Sequence, residues 1–352
     1  MRALVLAGGE GSRLRPLTHT QAKQLIPIAG QPILFHALDA IRDAGIRDVG
    51  IVIGQTGPEV RAAVGDGGAW DLRVTFIEQD APLGLAHAVL TAADFVRGEP
   101  FLMYLGDNVL LEGVTRFVRA FEGARPDAQI LLARVPDPSQ FGVVVLDGER
   151  VVRLVEKPQE FVSDLGLVGV YLFDDSILDA CATLEPSWRG EYEITEAIQW
   201  LVDTGKVVRA DMVDGYWKDT GRPEDLLDAN RMLLGALAPD VRGSVDAATT
   251  IEGVAVVGAG AKVTTSRLIG PVCIGADCVV EASTIGPDVS IEPGSTIRGS
   301  TIRDSIVMAG SSVDGVDALE ASILGRNADV RHAGGGGAHR LVVGDQSRVE
   351  VD

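Results

Sequence analysis

The chain has 352 residues, 46% of them hydrophobic, and a formal net charge of −19. That length allows two domains with sizeable cores, and no run of about 18 consecutive apolar residues is present to make a membrane-spanning helix. The acidity excludes a general nucleic-acid binder, whose face would be basic, so any bound anion must be held by a local cluster and not by the overall field.

The opening "RALVLAG" is a strand-length apolar run with no charged-then-apolar leader ahead of it, so no secretory signal is expected. It breaks into Gly8, Gly9 and Gly11, with Arg13, Arg15 and Lys23 behind. Neither the GK[ST] ending of a Walker loop nor the GxGxxG spacing of a dinucleotide fingerprint is present. Glycines so placed still let backbone N–H groups approach phosphate oxygens, and Arg13 can fork onto two of them. The alternative is a tight turn with a solvated arginine. Lysine stands only at positions 23, 157, 206, 218 and 262 in a chain that otherwise uses arginine. A retained lysine hints at a need for a compact point charge. Lys23 in "KQLIPI" is flanked by apolar residues, although an isolated lysine of this kind more often reaches water.

A helix is expected from about Pro32 to before Gly45. The runs "DVGIVIG", "RVTFIEQ" and "PFLMYLGD" then alternate with the helical patterns "PEVRAAV", "GLAHAVLTAADFV" and "GVTRFVRAFEGA". Such alternation predicts a mostly parallel sheet with helices on both faces. "YLGDN" puts Asp107 at a strand's carboxyl end, where open α/β sheets line their ligand crevice. A carboxylate there can hold Mg²⁺ together with phosphate oxygens, or it can cap a following helix. Further strands are expected at "AQILLARV", "GVVVLD", "VVRLVEKP" and "LGLVGVYLF", with helices near 174–184, 193–204 and 223–235. "VEKP" pairs Glu156 with Lys157, which read alone is a surface ion pair. "RGEYEIT" gathers Arg189, Glu191 and Glu193 before a helix whose dipole they could merely complement. "YWKDTG" supplies a second acid, Asp219.

From Val256 to Val313 an aliphatic residue recurs about every six positions, some units being one residue short. This period fits a hexapeptide parallel β-helix, its aliphatic residues pointing into the coil. No histidine lies between His87 and His332, so an acyl-transfer base at the coil is not expected. The domains predicted are 1–238, 239–333 for the coil, and a glycine-rich flexible tail at 334–352 with a terminal strand at "RLVV". Cys181, Cys273 and Cys278 show no metal-like spacing and are expected to be reduced core thiols of a cytoplasmic protein.

Taken together and in order, LAGGEGSRL, KQLIPI, QDAPLGLAHA, LGDN, FGVV, VEKP, RGEYEIT and YWKDTG closely resemble the sugar-1-phosphate nucleotidyltransferase family. The resemblance covers about residues 1–235, and the hexapeptide repeats extend it to the long members with a C-terminal β-helix. It implies an α/β fold: a Rossmann-like mixed-sheet nucleotidyltransferase domain followed by a left-handed parallel β-helix. The implied reaction is in-line attack of glucose 1-phosphate on the α-phosphorus of dTTP, giving dTDP-glucose and pyrophosphate with Mg²⁺. UTP or another triphosphate is the alternative nucleotide, and a non-catalytic nucleotide-sugar-binding subunit is a remoter one. Partners are these small molecules and further copies of the chain, not nucleic acid or membrane.

By the same resemblance Leu6, Ala7, Gly8, Gly9, Gly11, Ser12, Arg13, Gln79, Pro82, Gly84, Gly106 and Asp107 should contact the nucleotide. Asn108, Gly142, Glu156, Lys157, Gly169, Glu191 and Trp217 should line the sugar-phosphate pocket. Asp107 and Asp219 should hold the metal, and Arg13, Lys23, Asp107, Lys157 and Asp219 should carry the reaction. The nucleophile is already an anion, so charge and positioning matter more than a general base. His87 is accordingly expected to pack beside the base pocket. Two departures stand out: Leu83 replaces a frequent Asp of the short members, and Ser12 replaces a frequent Thr.

Overall fold

The early apolar runs form the parallel centre of a sheet in the computed structural model, which describes residues 1–332 and 337–351. In chain order they are β1 (Arg2–Ala7), α1 (Ile33–Asp43), β2 (Asp48–Ile53), α2 (Gly57–Val64), β3 (Arg73–Glu78), α3 (Leu85–Thr91) and β4 (Phe101–Leu105). The strands pair in parallel in the order β4-β1-β2-β3. β1, β2 and β4 are apolar and buried over most of their length, as central parallel strands covered on both faces are, whereas β3 at the edge reads RVTFIE and alternates exposed with half-buried residues at its start. The helix expected over "GLAHAVLTAADFV" is broken at Ala92 into Leu85–Thr91 and Ala93–Val96.

The sheet then turns mixed. The chain continues through β5 (Asn108–Leu110), which lies outside this sheet, then α4 (Thr115–Ala124), β6 (Ala128–Arg134), β7 (Gly142–Asp147), β8 (Arg150–Glu156) and β9 (Leu165–Phe173). After these come α5 (Ser176–Ala182), α6 (Ile194–Asp203), β10 (Val208–Met212), β11 (Trp217–Asp219) and α7 (Pro223–Gly235). Strand β9 pairs along one edge with β6, while its other edge meets β7 at Gly166 and runs antiparallel to β4 from Val170 to Phe173. Its register with β6 breaks between Leu167 and Tyr171, around Gly169 at φ +79°. Leu4, Met103, Ile130, Phe173 and Ile198 meet in the core beneath it. Each such side chain contributes about 1.5–3 kcal/mol when fully buried.

Beyond α7 the chain winds into three parallel sheets of seven, seven and six strands, a left-handed parallel β-helix. Ala255 pairs with Val272 and Val272 with Val289, steps of seventeen residues, so one of the three units in each of these turns is a residue short. Other turns depart from seventeen, with steps of sixteen from Val289 to Ser305 and of nineteen from Asp329 to Arg348, so the irregular hexads of the sequence are turns of unequal length around one stack. Val257, Ile274, Ile291, Val307 and Leu324 stack inside it. Serines line a corner of the same stack: Ser266 Oγ accepts from Ser283 N at 3.1 Å, and Ser283 Oγ from Ser300 N at 3.2 Å. Each hydroxyl donates to the carbonyl two residues behind it, so a small polar side chain is satisfied inside an apolar coil.

Two findings differ from the sequence reading. The expected tail is not an appendage: Ala338–His339, Val342–Val343 and Arg348–Val351 each extend one of the three sheets, while residues 334–336 lie outside those described. The glycine run disguised a turn whose strands still follow the coil. The chain also divides into two compact units at places the sequence does not mark. One comprises Met1–Glu10 and Leu34–Asp219, and the other Gly11–Ile33 and Thr220–Asp352. The segment bearing Arg13 and Lys23 groups with the coil, to which Thr20 and Gln21 bond. All three cysteines are free and buried, and burial pushes the Cys181 and Cys273 thiols up to about 12. Among the described residues no helix is long and apolar enough to cross a membrane.

Candidate active site

In the sheet unit, Leu6 at the end of β1 accepts from Gly106 N at 2.9 Å, and Ala7 is buried beside it. The chain leaves the sheet through Gly8 and the exposed Gly9. A Cβ on Gly8 would come 3.4 Å from Gln79 Oε1, which places that amide next to the glycine loop. Gln79 Nε2 donates to Gly84 O at 3.3 Å and lies 2.9 Å from His87 Nδ1. The His87 ring in turn stacks on Tyr192, centroids 6.3 Å apart. His87 thus packs as expected and, in addition, fixes the glutamine amide. Pro82 and Leu83 are exposed on the loop leading to Gly84. Gly84 sits at φ +105° with the Tyr192 backbone so near that a Cβ would fall 2.5 Å from its carbonyl oxygen. Only glycine fits there.

Asp107 follows β4, but β5 and not a helix begins at Asn108, so the helix-cap alternative fails. Strand β11 pairs antiparallel with β5, and Asp219 stands opposite Asn108. The two acids therefore share one end of a two-stranded ribbon. Buried Asn108 is fixed from both sides: its Nδ2 donates to Asp107 Oδ1 at 3.2 Å, and its Oδ1 accepts from Trp217 Nε1 at 2.7 Å. Gly169, whose Cβ would meet Asn108 Nδ2 at 3.0 Å, makes room for that amide. Among the described residues no group of three or more His, Cys, Asp or Glu is gathered for a metal. Two carboxylates are nonetheless the donor set that Mg²⁺ takes when phosphate and water complete its shell, so the residues fit that ion.

A second cluster lies at the end of β8. Glu156 accepts from Thr195 Oγ1 at 3.1 Å and from Arg189 Nη1 at 3.4 Å, and Lys157 Nζ is 3.6 Å away. Arg189 also pairs with Glu191 at 2.9 Å and with Glu193 at 3.1 Å. The "VEKP" pair is therefore no surface bridge; Glu156 belongs to a largely buried network. Glu193 makes no side-chain bond to its helix; its carboxylate goes to Ser187 and Arg189. Burial, and then the neighbouring Glu156, push the Glu193 carboxyl up. Gly142 is wedged here, since a Cβ would lie 2.5 Å from Thr195 Cγ2 and 3.0 Å from Glu156 Oε2. Lys157 itself has φ 41°, a backbone state costly for a side-chain-bearing residue. Phe141 meets Trp217 edge-on, centroids 5.5 Å apart.

In the coil unit, Gly11 at φ +66° opens a short 3₁₀ turn, Ser12–Leu14, in which Ser12 and Arg13 are exposed. Thr18 Oγ1 donates to Gly11 O at 2.8 Å, closing the loop on itself. A Cβ on Gly11 would strike Lys23 Cβ at 2.9 Å, so the glycine lets the lysine backbone close in. The Arg13 guanidinium lies over Gly221, whose Cβ would fall 2.8 Å from Nη2. Lys23 is half-buried on the 3₁₀ turn Lys23–Leu25, between buried Ala22 and Gln24. Sequence reasoning missed the roles of Thr18, Gly221 and Thr195. "YWKDTG" and "RGEYEIT" held two of them, but nothing local shows that Gly221 must be small.

Comparison with known proteins follows this geometry. A model of the nucleotidyl transferase family matches residues 2–235. Glucose-1-phosphate thymidylyltransferase of Streptomyces antibioticus is 51% identical over 100% of this chain and 99% of its own length. The protein of the same name from Streptomyces griseus is 50% identical over the same shares. A solved Bacillus anthracis structure, described as a glucose-1-phosphate thymidylyltransferase in complex with sucrose, is 33% identical. It covers 66% of this chain and 94% of that one at a TM-score of 0.63. With a family model matching well over half its length and full-length relatives near half identity, the chain belongs to the nucleotidyl transferase family.

Proposed function

We propose that the chain makes dTDP-glucose and pyrophosphate from dTTP and glucose 1-phosphate. The observation that carries this reading is the pairing of Asp219 with Asn108 beside Asp107, in the same unit as the Gln79–Gly84 loop and the Glu156–Lys157 turn. The names of the two Streptomyces relatives supply the substrates.

Gln79 and the Gly84 backbone offer a donor and an acceptor to the hydrogen-bonding edge of a pyrimidine. Leu6, Ala7, Gly8, Gly9, Gly11 and Ser12 let the triphosphate lie against the backbone, with Pro82 and Gly106 at its margins. Glu156 and Glu191 accept from sugar hydroxyls while Lys157 holds the sugar phosphate, and Asn108, Gly142, Gly169 and Trp217 shape that pocket. Asp107 and Asp219 would hold Mg²⁺, which when bound neutralises phosphate charge. Arg13 and Lys23 stabilise the triphosphate as charge builds on the departing pyrophosphate. No side chain need remove a proton, because the attacking phosphate oxygen is already ionised.

The test is pyrophosphate release by the full chain with Mg²⁺, four nucleoside triphosphates, and the 1-phosphates of glucose, glucosamine and mannose. The highest kcat/KM should fall to dTTP with glucose 1-phosphate. Measurable turnover of UTP is expected, because Gln79 meets nearly the same edge in uracil. Asp107→Asn and Asp219→Asn should each lower the rate about 100-fold without loss of fold; wild-type rates in both would remove the metal assignment.

A further inference from the structure

The segment Gly11–Ile33, which carries Arg13 and Lys23, runs along the coil and is held at successive turns. Near its end, Ala29 N donates to Asn230 Oδ1 at 2.8 Å, and that buried amide oxygen also accepts from Ser290 Oγ at 2.8 Å. Gly30 is close enough to Cys273 that a Cβ would fall 2.9 Å from Sγ. Farther along, buried Gln21 meets Met308 Sδ at 3.2 Å. The last turns grip hardest. Thr20 Oγ1 donates to Asp345 Oδ2 at 2.8 Å, and Arg326 Nη2 donates to Thr20 O at 2.8 Å. Arg326 also gives Asp345 its backbone N–H at 2.7 Å and its Nε at 2.8 Å. A Cβ on Gly344 would stand 3.1 Å from Pro16 O.

Lys23 therefore lies between two anchors, and Arg13 sits on a loop tied to the same strip through Thr18 and the approach of Gly11 to Lys23. The Asp345 side chain is only 8% exposed, and a buried carboxylate is retained at a cost unless its bonds repay it. Here they go to the single residue Thr20 and to the arginine that holds the same residue's carbonyl. A mobile segment of this length would have to be ordered by each incoming triphosphate, so pinning it beforehand saves that cost.

Resting on the functional reading above, we propose that Asp345 and Arg326 are positioning residues for nucleotidyl transfer. By clamping Thr20 from the last turn of the coil, they set where Arg13 and Lys23 present their charges to the triphosphate. The β-helix is on this account a splint for the phosphate-binding segment.

The test uses full-length Thr20→Val, Thr20→Ser and Asp345→Ala chains. Thr20→Val and Asp345→Ala should raise the KM for the triphosphate about tenfold and leave that for glucose 1-phosphate within about twofold. Thr20→Ser, which keeps the hydroxyl, should restore the wild-type value. Hydrogen exchange should speed up in Asp345→Ala at residues 11–33 and not in β1 or β4. The proposal is overturned if exchange at 11–33 is unchanged, if the triphosphate KM is unchanged, or if both KM values rise together with a lower melting temperature. A wild-type chain releasing no pyrophosphate from any triphosphate would sink the functional reading instead, and the exchange arm would still decide whether the coil holds the segment.

Discussion

Backbone turns of left-handed sense occur in both the coil and the sheet unit. In the coil they recur with its period: Thr265, Ala282, Gly299 and Gly315 mark one corner, and Asp277, Gly294, Gly310 and Asn327 another. Asp288, Asp304 and Ala321 mark a third. There the strain is geometric, the same bend repeated because each turn must close. In the sheet unit Asp71 and Arg125 have positive φ where they end helices. Lys157 ends none; its N–H goes to Phe141 O, and its ammonium is turned toward Glu156. A deviation that repeats belongs to the architecture, and Lys157, which neither repeats nor ends a helix, stands instead beside the Glu156 carboxylate.

The largest effect that would sharpen this contrast is expected at Lys157. Lys157→Gly removes the ammonium and relieves the turn, so turnover should fall about 100-fold while stability rises by about 1 kcal/mol. Lys157→Ala should lose as much activity and gain no stability. Steady-state rates and melting curves of both variants decide it; near-normal turnover in Lys157→Gly would make that residue one more corner. Gly221→Ala comes next. Its Cβ would displace the Arg13 guanidinium, lowering kcat/KM about tenfold at unchanged melting temperature.

A smaller effect belongs to the coil and to pH. Burial pushes the Glu292 carboxyl from its ordinary 4.5 up to about 7, and its Oε1 has no hydrogen-bond partner. The folded chain therefore binds this proton more tightly than the unfolded one. Its contribution is full below about pH 4.5 and is lost as pH rises toward 7. Glu292→Gln should flatten that slope and add on the order of 2 kcal/mol at pH 8, read from denaturant midpoints. Smallest of all, Ala282→Gly should stabilise the coil by about 0.5–1 kcal/mol and leave turnover alone.

Strand and helix were legible from "RALVLAG" to "RPEDLLDAN" because most strands are short apolar runs and several helices are punctuated by glycine or proline. The coil was legible in its hexads, but the lengths of its turns were not, since a missing or added residue reads as noise until strands are paired. Of residues 338–351 only the strand at "RLVV" was legible, and the other two were obscured because glycines interrupt the period just before them. Gln79, Gly84, Asp107 and Asp219 could be located by motif. The contacts that hold them could not, because His87 touches Gln79 through a side chain and Gly221 reveals its necessity only against Arg13. Thr20 and Asp345 are 325 positions apart, and neither residue type is unusual for a surface.

The repeated turn makes the coil a gauge. Strands of one sheet stack at about 4.8 Å, and the approach of Gly30 to Cys273 and the bonds of Gln21 to Met308 and of Thr20 to Arg326 and Asp345 fall at different marks along it. Excising one seventeen-residue turn would keep the apolar residues facing inward, yet it would carry Asp345 one mark away from Thr20. The count of turns is thereby fixed from outside the repeat, by a stretch of chain that contains no repeat at all.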